Sequence, residues 1–225
     1  MKIDKLKNLL EEFGSNVKFE HDLKKKNWFN IGGKSKVFYK AENLRELVNF
    51  LKKLECKEKI FILGAGSNTL VSDNLFDGVV IKLSKNFNNI SLHSENTIIA
   101  GSAVLDKSLS DFAMKNNLSG FEFLSCIPGS IGGGITMNAG CFGREFRDIL
   151  LSIQAIDYFG NIITIPSKDI KFEYRKNNLP EDLIFLSASF NGVKSDSLKI
   201  NDEIIKLKTE KEKNQPTKIK TSGST

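Results

Sequence analysis

Apolar positions along this chain recur with two periods. Over residues 3–13, Leu6, Leu9, Leu10 and Phe13 fall at helical spacing, and Leu44, Leu47, Val48 and Leu51 repeat the pattern, so both stretches are expected to be amphipathic helices. Residues 105–117 predict a third helix, with Leu105, Leu109, Phe112 and Ala113 on one face. Short, nearly continuous apolar runs lie between them: VFYKA (37–41), KIFILG (59–64), GVVIKL (78–83), NTIIAGSA (96–103) and LIFLSASF (183–190). Runs of that length read as strands. Residues 152–165 predict two strands about a Gly-Asn turn, and residues 200–213 a polar helix, while the closing NQPTKIKTSGST has no period at all. The order is strand, helix, strand, strand, then a second unit from residue 96: a mixed α+β chain without internal repeats.

Composition narrows the picture. A length of 225 residues suits one large or two small domains. The net charge of +6 is carried mostly by dispersed lysines, which suits an anionic small substrate and equally suits solubility. No concentrated basic face or nucleic-acid module is visible, so no nucleic-acid partner is expected. No apolar run approaches the roughly 18 residues of a membrane span. The opening MKIDKLKNLLEEF carries acids and lacks a signal-like apolar core, so export is not expected and the sequons at Asn89 and Asn117 read as unused; the expectation is a cytoplasmic protein, and a monomer. Cys56, Cys126 and Cys141 form no CxxC pair and read as reduced thiols, the last two as small buried residues. His21 and His93 lack metal-ligand spacing, so no metal is expected.

Two glycine-bearing segments carry the candidate chemistry. GGKS (32–35) resembles the end of a phosphate loop, but Trp28 stands where that loop needs its first glycine. In ILGAGSNTLVSD (62–73) a short strand runs into Gly64, Ala65, Gly66, Ser67 and Asn68, and Thr69 occupies the place of the last glycine of a dinucleotide fingerprint. Two glycines there allow a tight turn and a close approach to a ligand, with successive amides forming an anion nest. The second segment, FEFLSCIPGSIGGGITMNAGCFG (121–143), contains one charge. Its glycines cost about 1 kcal/mol each in a regular helix relative to alanine, so an open backbone lying against a flat, phosphorylated ligand is expected. Two such loops on two α/β units point to a large dinucleotide between them.

The succession NWFNIGGKSKVFYKAENLRELVNFL, FILGAGSNTLVSDNLFDGVVIKL, SGFEFLSCIPGSIGGGITMNAGCFGREFRDIL and FEYR resembles the UDP-N-acetylenolpyruvoylglucosamine reductase (MurB) family over nearly the whole chain. The resemblance implies the FAD-binding fold of the p-cresol methylhydroxylase and vanillyl-alcohol oxidase group, in which two α+β subdomains enclose noncovalent FAD. It divides the chain into a lead-in (1–30), an FAD-binding domain (31–195, with subdomains 31–84 and 85–195) and a linker helix (196–225) opening a third domain that is missing here. It implies that Gly64, Ala65, Gly66, Ser67, Asn68, Thr69 and Leu70 line the flavin pyrophosphate. Pro128, Gly129, Ser130, Ile131, Gly132 and Gly133, with Asn138, Ala139 and Gly140, are then the second wall.

The same resemblance implies a reaction: NADPH reduces FAD, and the reduced flavin gives a hydride to the enolpyruvyl group of a UDP-sugar, forming UDP-N-acetylmuramate for peptidoglycan. Arg175, in FEYR, matches the family's catalytic arginine, and its planar cation suits a carboxylate gaining electron density. Ser224, in SGST, matches the family's proton-donating serine. Asn177 stands where the family usually has a serine, and the family's catalytic glutamate lies beyond this chain's last residue. A catalytically dead FAD-binding fragment, or another oxidoreductase of the same fold, are the alternatives.

Overall fold

The apolar runs are distributed over two separate sheets. The computed structural model describes residues 1–215. The first part of the chain forms α1 (Ile3–Leu9), β1 (Val17–Asp22), β2 (Lys34–Ala41), α2 (Leu44–Leu54), β3 (Ile60–Ile62) and β4 (Phe76–Leu83). The strand order is β1-β2-β4-β3, with β1 antiparallel to β2 and both β2 and β3 parallel to β4. Buried positions run unbroken from Ser35 to Tyr39, as expected of a strand covered on both faces. Helix α2 starts where the Asn43 side chain accepts a hydrogen bond from the Glu46 amide, and it ends at Glu55 in the left-handed conformation. Its buried Leu47, Phe50, Leu51 and Leu54 face the sheet, and the Phe50 ring stacks on Tyr39 at 3.8 Å.

The next strands change sheet. They are β5 (Ile90–Leu92) and β6 (Thr97–Gly101), followed by α3 (Asp106–Lys115), α4 (Ile131–Thr136), β7 (Leu150–Asp157), β8 (Ile162–Pro166), β9 (Leu183–Asn191) and α5 (Ser197–Asn214). This sheet is antiparallel throughout, in the order β8-β7-β9-β6-β5. Strand β9 alternates strictly between partly and fully buried positions. Its inward residues serve two cores: Ile184 and Leu186 pack with Leu6, Tyr39 and Phe50, whereas Ala188 and Phe190 pack with Phe121, Phe146 and Ile153. One strand thereby joins the hydrophobic interiors of the two sheets. Among the described residues no helix is long and apolar enough to cross a membrane.

Three expectations change. The helix expected over 3–13 stops at Leu9, and residues 11–16 form a tighter turn that Gly14 interrupts at φ 51°. Strand β1 was not foreseen, because VKFEHD is largely polar and is held as an edge strand by pairing with β2. The run IGGGIT, expected to be open backbone, is the helix α4. Its glycines are there for space. A Cβ on Gly134 would lie 2.3 Å from the ring of Phe146, which is fully buried, so only glycine lets the helix seat on that ring.

Candidate functional site

Chain crossings bring the two glycine segments together. Residues 64–70 leave the C-terminal end of β3, and residues 128–133 follow the turn Glu122–Cys126 and lead into α4. They meet where a Cβ on Gly64 would stand 2.7 Å from Ser130 Oγ. An antiparallel bridge between Leu105 and Ser130 fixes the second segment to the start of α3. Within it Asp106 N–H donates to Gly129 O at 3.2 Å, and Ile131 N–H donates to Val104 O at 2.9 Å.

The first segment is shaped by contact with the chain before β2. Gly66 has φ +74°, and a Cβ there would lie 2.4 Å from Lys26 O. Its carbonyl accepts from Trp28 N–H at 2.9 Å. Among the described residues the amides of Ala65, Gly66, Ser67, Asn68 and Leu70 donate to no acceptor, whereas the Thr69 amide closes the turn at Ser67–Asn68. The others form a set of free donors, of the kind an anionic group would need. Beneath it Lys82, which the sequence reading passed over, donates from Nζ to Gly64 O at 2.7 Å. Burial, and then the positive charge of Lys26, hold its pKa below the usual lysine value. Beside the segment a cleft of about 640 Å³ is lined by Lys24, Ile31, Gly32, Leu70, Val71 and Asp73, with Leu70 strongly exposed on its lip.

The second segment has an acid beneath it. Asp106 is fully buried, and neither carboxylate oxygen has a hydrogen-bond partner among the described residues. A Cβ on Gly129 would come within 2.4 Å of its Oδ2. Desolvation pushes the Asp106 pKa well above the ordinary carboxylate value. Asp106 lies in LDKS, a polar position at the head of a predicted helix, and nothing in its sequence pattern marks it as buried.

Asn138, also fully buried, sits at φ 39° and is occupied within the protein. Its Nδ2 donates to Glu145 Oε2 at 2.8 Å and to Glu173 O at 3.3 Å, and its Oδ1 accepts from Arg147 N–H at 3.2 Å. The backbone here is occupied as well: Asn138 N–H donates to Ile135 O, Ala139 N–H donates to Gly134 O, and Ala139 O accepts from Phe146 N–H, so this stretch offers a ligand a surface rather than free donors. Arg175 joins the same wall. It occupies the turn of the hairpin Phe172–Glu173 and Lys176–Asn177 at φ 56°, and its Nη2 donates to Gly140 O at 3.2 Å. The guanidinium also lies over the Tyr174 ring, 5.3 Å from its centre. Asn177 Nδ2 donates to Ile135 O and Thr136 O at 3.2 and 3.0 Å, tying that hairpin to the end of α4. Ser224 lies outside the described residues.

The donors fit a flavin dinucleotide. A run of unpartnered amides follows Gly64, where the first segment meets Ser130 of the second, and the Arg175 cation is hydrogen-bonded to Gly140. Comparison with known proteins points the same way. Residues 36–166 match the family model described as an FAD binding domain. The UDP-N-acetylenolpyruvoylglucosamine reductase of Pelagibacter ubique is 60% identical over 225 residues, all of this chain and 74% of that protein. The protein of the same name from Rickettsia typhi is 45% identical over 208 residues, 92% of this chain and 70% of its own length. Among solved structures, UDP-N-acetylenolpyruvylglucosamine reductase (MurB) from Thermus caldophilus superposes with a TM-score of 0.80 at 26% identity, covering 92% of this chain and 73% of that one. p-Cresol methylhydroxylase shares the fold, with a TM-score of 0.58 at 18% identity over 86% of this chain and 43% of its own. The family model spans more than half of the residues and the Pelagibacter protein aligns from end to end of this sequence, so the chain belongs to the UDP-N-acetylenolpyruvoylglucosamine reductase family.

Proposed function

We propose that this protein binds FAD noncovalently and uses NADPH to reduce UDP-N-acetylenolpyruvoylglucosamine to UDP-N-acetylmuramate, in peptidoglycan synthesis. The observation that carries the reading is the meeting of the two glycine segments at Gly64 and Ser130, next to a run of unpartnered amides that begins at Ala65, with Arg175 hydrogen-bonded to Gly140. The first segment would hold the anionic pyrophosphate through backbone donors, and the partly buried Lys82 would add positive potential from below. Pro128–Gly133 and Asn138–Gly140 would flank the rest of the cofactor. FAD, when bound, supplies the hydride-carrying ring.

Arg175 would face the substrate's carboxylate. Charge would grow on that group as hydride reaches C3 of the enolpyruvyl group, one carbon beyond the one that bears the carboxylate, and a planar cation held by Gly140 O and Tyr174 needs little rearrangement to stabilise it. Ser224 is the proposed proton donor by resemblance. The substrate is a small UDP-sugar, with no nucleic-acid or membrane partner, and the protein works as a cytoplasmic monomer supporting cell-wall growth and division.

Titration of the purified protein with FAD tests the reading. We expect a visible flavin spectrum that stays with the protein on gel filtration and is released intact on denaturation. NADPH consumption should then depend on the enolpyruvyl UDP-sugar. A chain with native circular dichroism that takes up no added FAD would overturn the proposal.

A further inference from the structure

The hairpin that carries Arg175 is too short to hold itself. Its ladder pairs only Phe172 with Asn177 and Glu173 with Lys176, and a hairpin so small is unstable in water without packing. Arg175, in its turn, takes a left-handed φ of 56°, a conformation that such a residue keeps only where its surroundings impose it. Those surroundings are residues 135–140. Helix α4 ends at Thr136, and the last carbonyls of a helix lack the amides of a next turn. Asn177 Nδ2 donates to the last two, Ile135 O and Thr136 O, while its Oδ1 accepts from Leu179 N–H at 3.0 Å. On the other strand of the hairpin, Glu173 O accepts from Asn138 Nδ2. The guanidinium itself reaches Gly140 O. Both strands of the hairpin and the side chain at its tip are thus fastened to one short stretch of chain.

We propose that Asn177 is a positioning residue for Arg175: by fastening the second strand of the hairpin to α4, it sets where the guanidinium stands. An amide suits this task because it carries two N–H donors and a carbonyl, so one side chain meets two carbonyls and one amide. The serine usual in the family at this position has one donor and a shorter reach, and would leave one of the two carbonyls without this partner. All three hydrogen bonds of Asn177 go to backbone, so its influence on chemistry runs through the hairpin and not through contact with a ligand. Placement matters because a shift of about 1 Å in a reacting group can slow a reaction about a hundredfold. The proposal rests on the reading of Arg175 as the cation that faces the substrate's carboxylate.

Two measurements on the purified protein test it, with Asn177→Ala and Asn177→Ser each checked for native circular dichroism. The first needs neither cofactor nor substrate. Phenylglyoxal labelling, read by peptide mass spectrometry, compares Arg175 with the exposed Arg45 of α2 in the same chain. The ratio of the two rates should rise several-fold in Asn177→Ala, as the guanidinium leaves Gly140 O, and should fall between the native and alanine values in Asn177→Ser. The second is single turnover of the FAD-loaded protein. Asn177→Ala should leave FAD content and NADPH-driven flavin reduction unchanged and slow substrate reduction by about tenfold or more. It should add nothing to the loss in Arg175→Lys, because both changes act through one group. An unchanged labelling ratio in both variants would overturn the proposal. So would losses that multiply in the double variant, the mark of a residue that only supports the fold. Native protein that takes up FAD but reduces no substrate counts against the function proposed above, and the labelling ratio still decides whether Asn177 holds Arg175 in place.

Discussion

Residues 64–70 form no helix or strand and leave most of their amides without an acceptor among the described residues, whereas residues 131–136 wind into a helix although three of the six are glycine. Glycine serves the first segment through backbone freedom: Gly66 adopts a left-handed φ hard against Lys26 O. It serves the second through absence of volume, since Gly134 lies on the Phe146 ring. The groups beneath them differ as well. A lysine donates to the first segment, and an acid without a hydrogen-bond partner among the described residues is buried under the second. A glycine-rich composition thus covers two designs, one that exposes donors and one that lets elements approach.

The largest expected effect lies where Arg175 is hydrogen-bonded to Gly140. Arg175→Lys keeps a cation but loses the fork that reaches Gly140 O. In an assay with substrate it should leave FAD content and NADPH-driven flavin reduction intact while slowing reduction of the enolpyruvyl group. The loss should be about 2–4 kcal/mol of transition-state stabilisation, by analogy with removing one oxyanion donor. Single-turnover kinetics separate the two steps, and an unchanged second step would take Arg175 out of the chemistry.

Stability comes next. Gly134→Ala should destabilise the chain by about 1–3 kcal/mol, the usual cost of overpacking, because the obstacle is a buried ring. Gly66→Ala should cost about 1–2 kcal/mol for the left-handed backbone. It should also weaken FAD uptake, since the contact with Lys26 must open. Thermal unfolding and FAD titration read both effects. If Gly134→Ala were tolerated while FAD binding collapsed, the second segment would be an exposed donor loop after all.

Asp106 sharpens the electrostatic half of the comparison. Its pKa is raised in the folded protein, so the unfolded state gives up the proton first as pH increases from the ordinary value of 3.8. Stability from this residue is fully present below that value and is lost as pH rises through the folded pKa. Asp106→Asn cannot ionise, so its stability relative to the native chain should improve from pH 4 towards neutrality. Parallel denaturation curves for the two proteins over that range would show that the acid is paired.

The sheets were legible in the sequence because buried strands write continuous apolar runs: GVVIKL and LIFLSASF sit within β4 and β9. Strand β1 was not, since an edge strand needs only backbone pairing and can be mostly polar. At the site, local chemistry could be read but long-range contact could not. Glycines, the FEYR and SGST sequences and their resemblance to one family pointed to residues 64–70, 128–133, 138–140, 175 and 224. Lys82 and Asp106 stayed hidden because what sets them apart is which segment passes over them. The helix at 131–136 was misjudged because propensity weighs a glycine's cost within its own helix, and here Phe146, distant in sequence, decides.

Gly133 carries the smallest stability effect and the cleanest division between the two roles. It is flanked by two glycines that are crowded: a Cβ would meet Ser102 at 3.1 Å from Gly132 and Phe146 at 2.3 Å from Gly134. At Gly133 the same atom would find only Ser130 Oγ at 3.7 Å, an ordinary contact, and the position lies on the exposed side of α4. Alanine is favoured over glycine in a helix by about 1 kcal/mol, so Gly133→Ala should leave the melting temperature unchanged or raise it slightly. If this face of α4 lies against the cofactor, however, the added methyl takes up the space through which the ligand approaches. FAD affinity should then fall while stability holds, the opposite of the result expected at Gly134. Equal FAD affinity in native and Gly133→Ala protein, at equal or greater stability, would remove α4 from the cofactor wall and leave its glycines to packing alone.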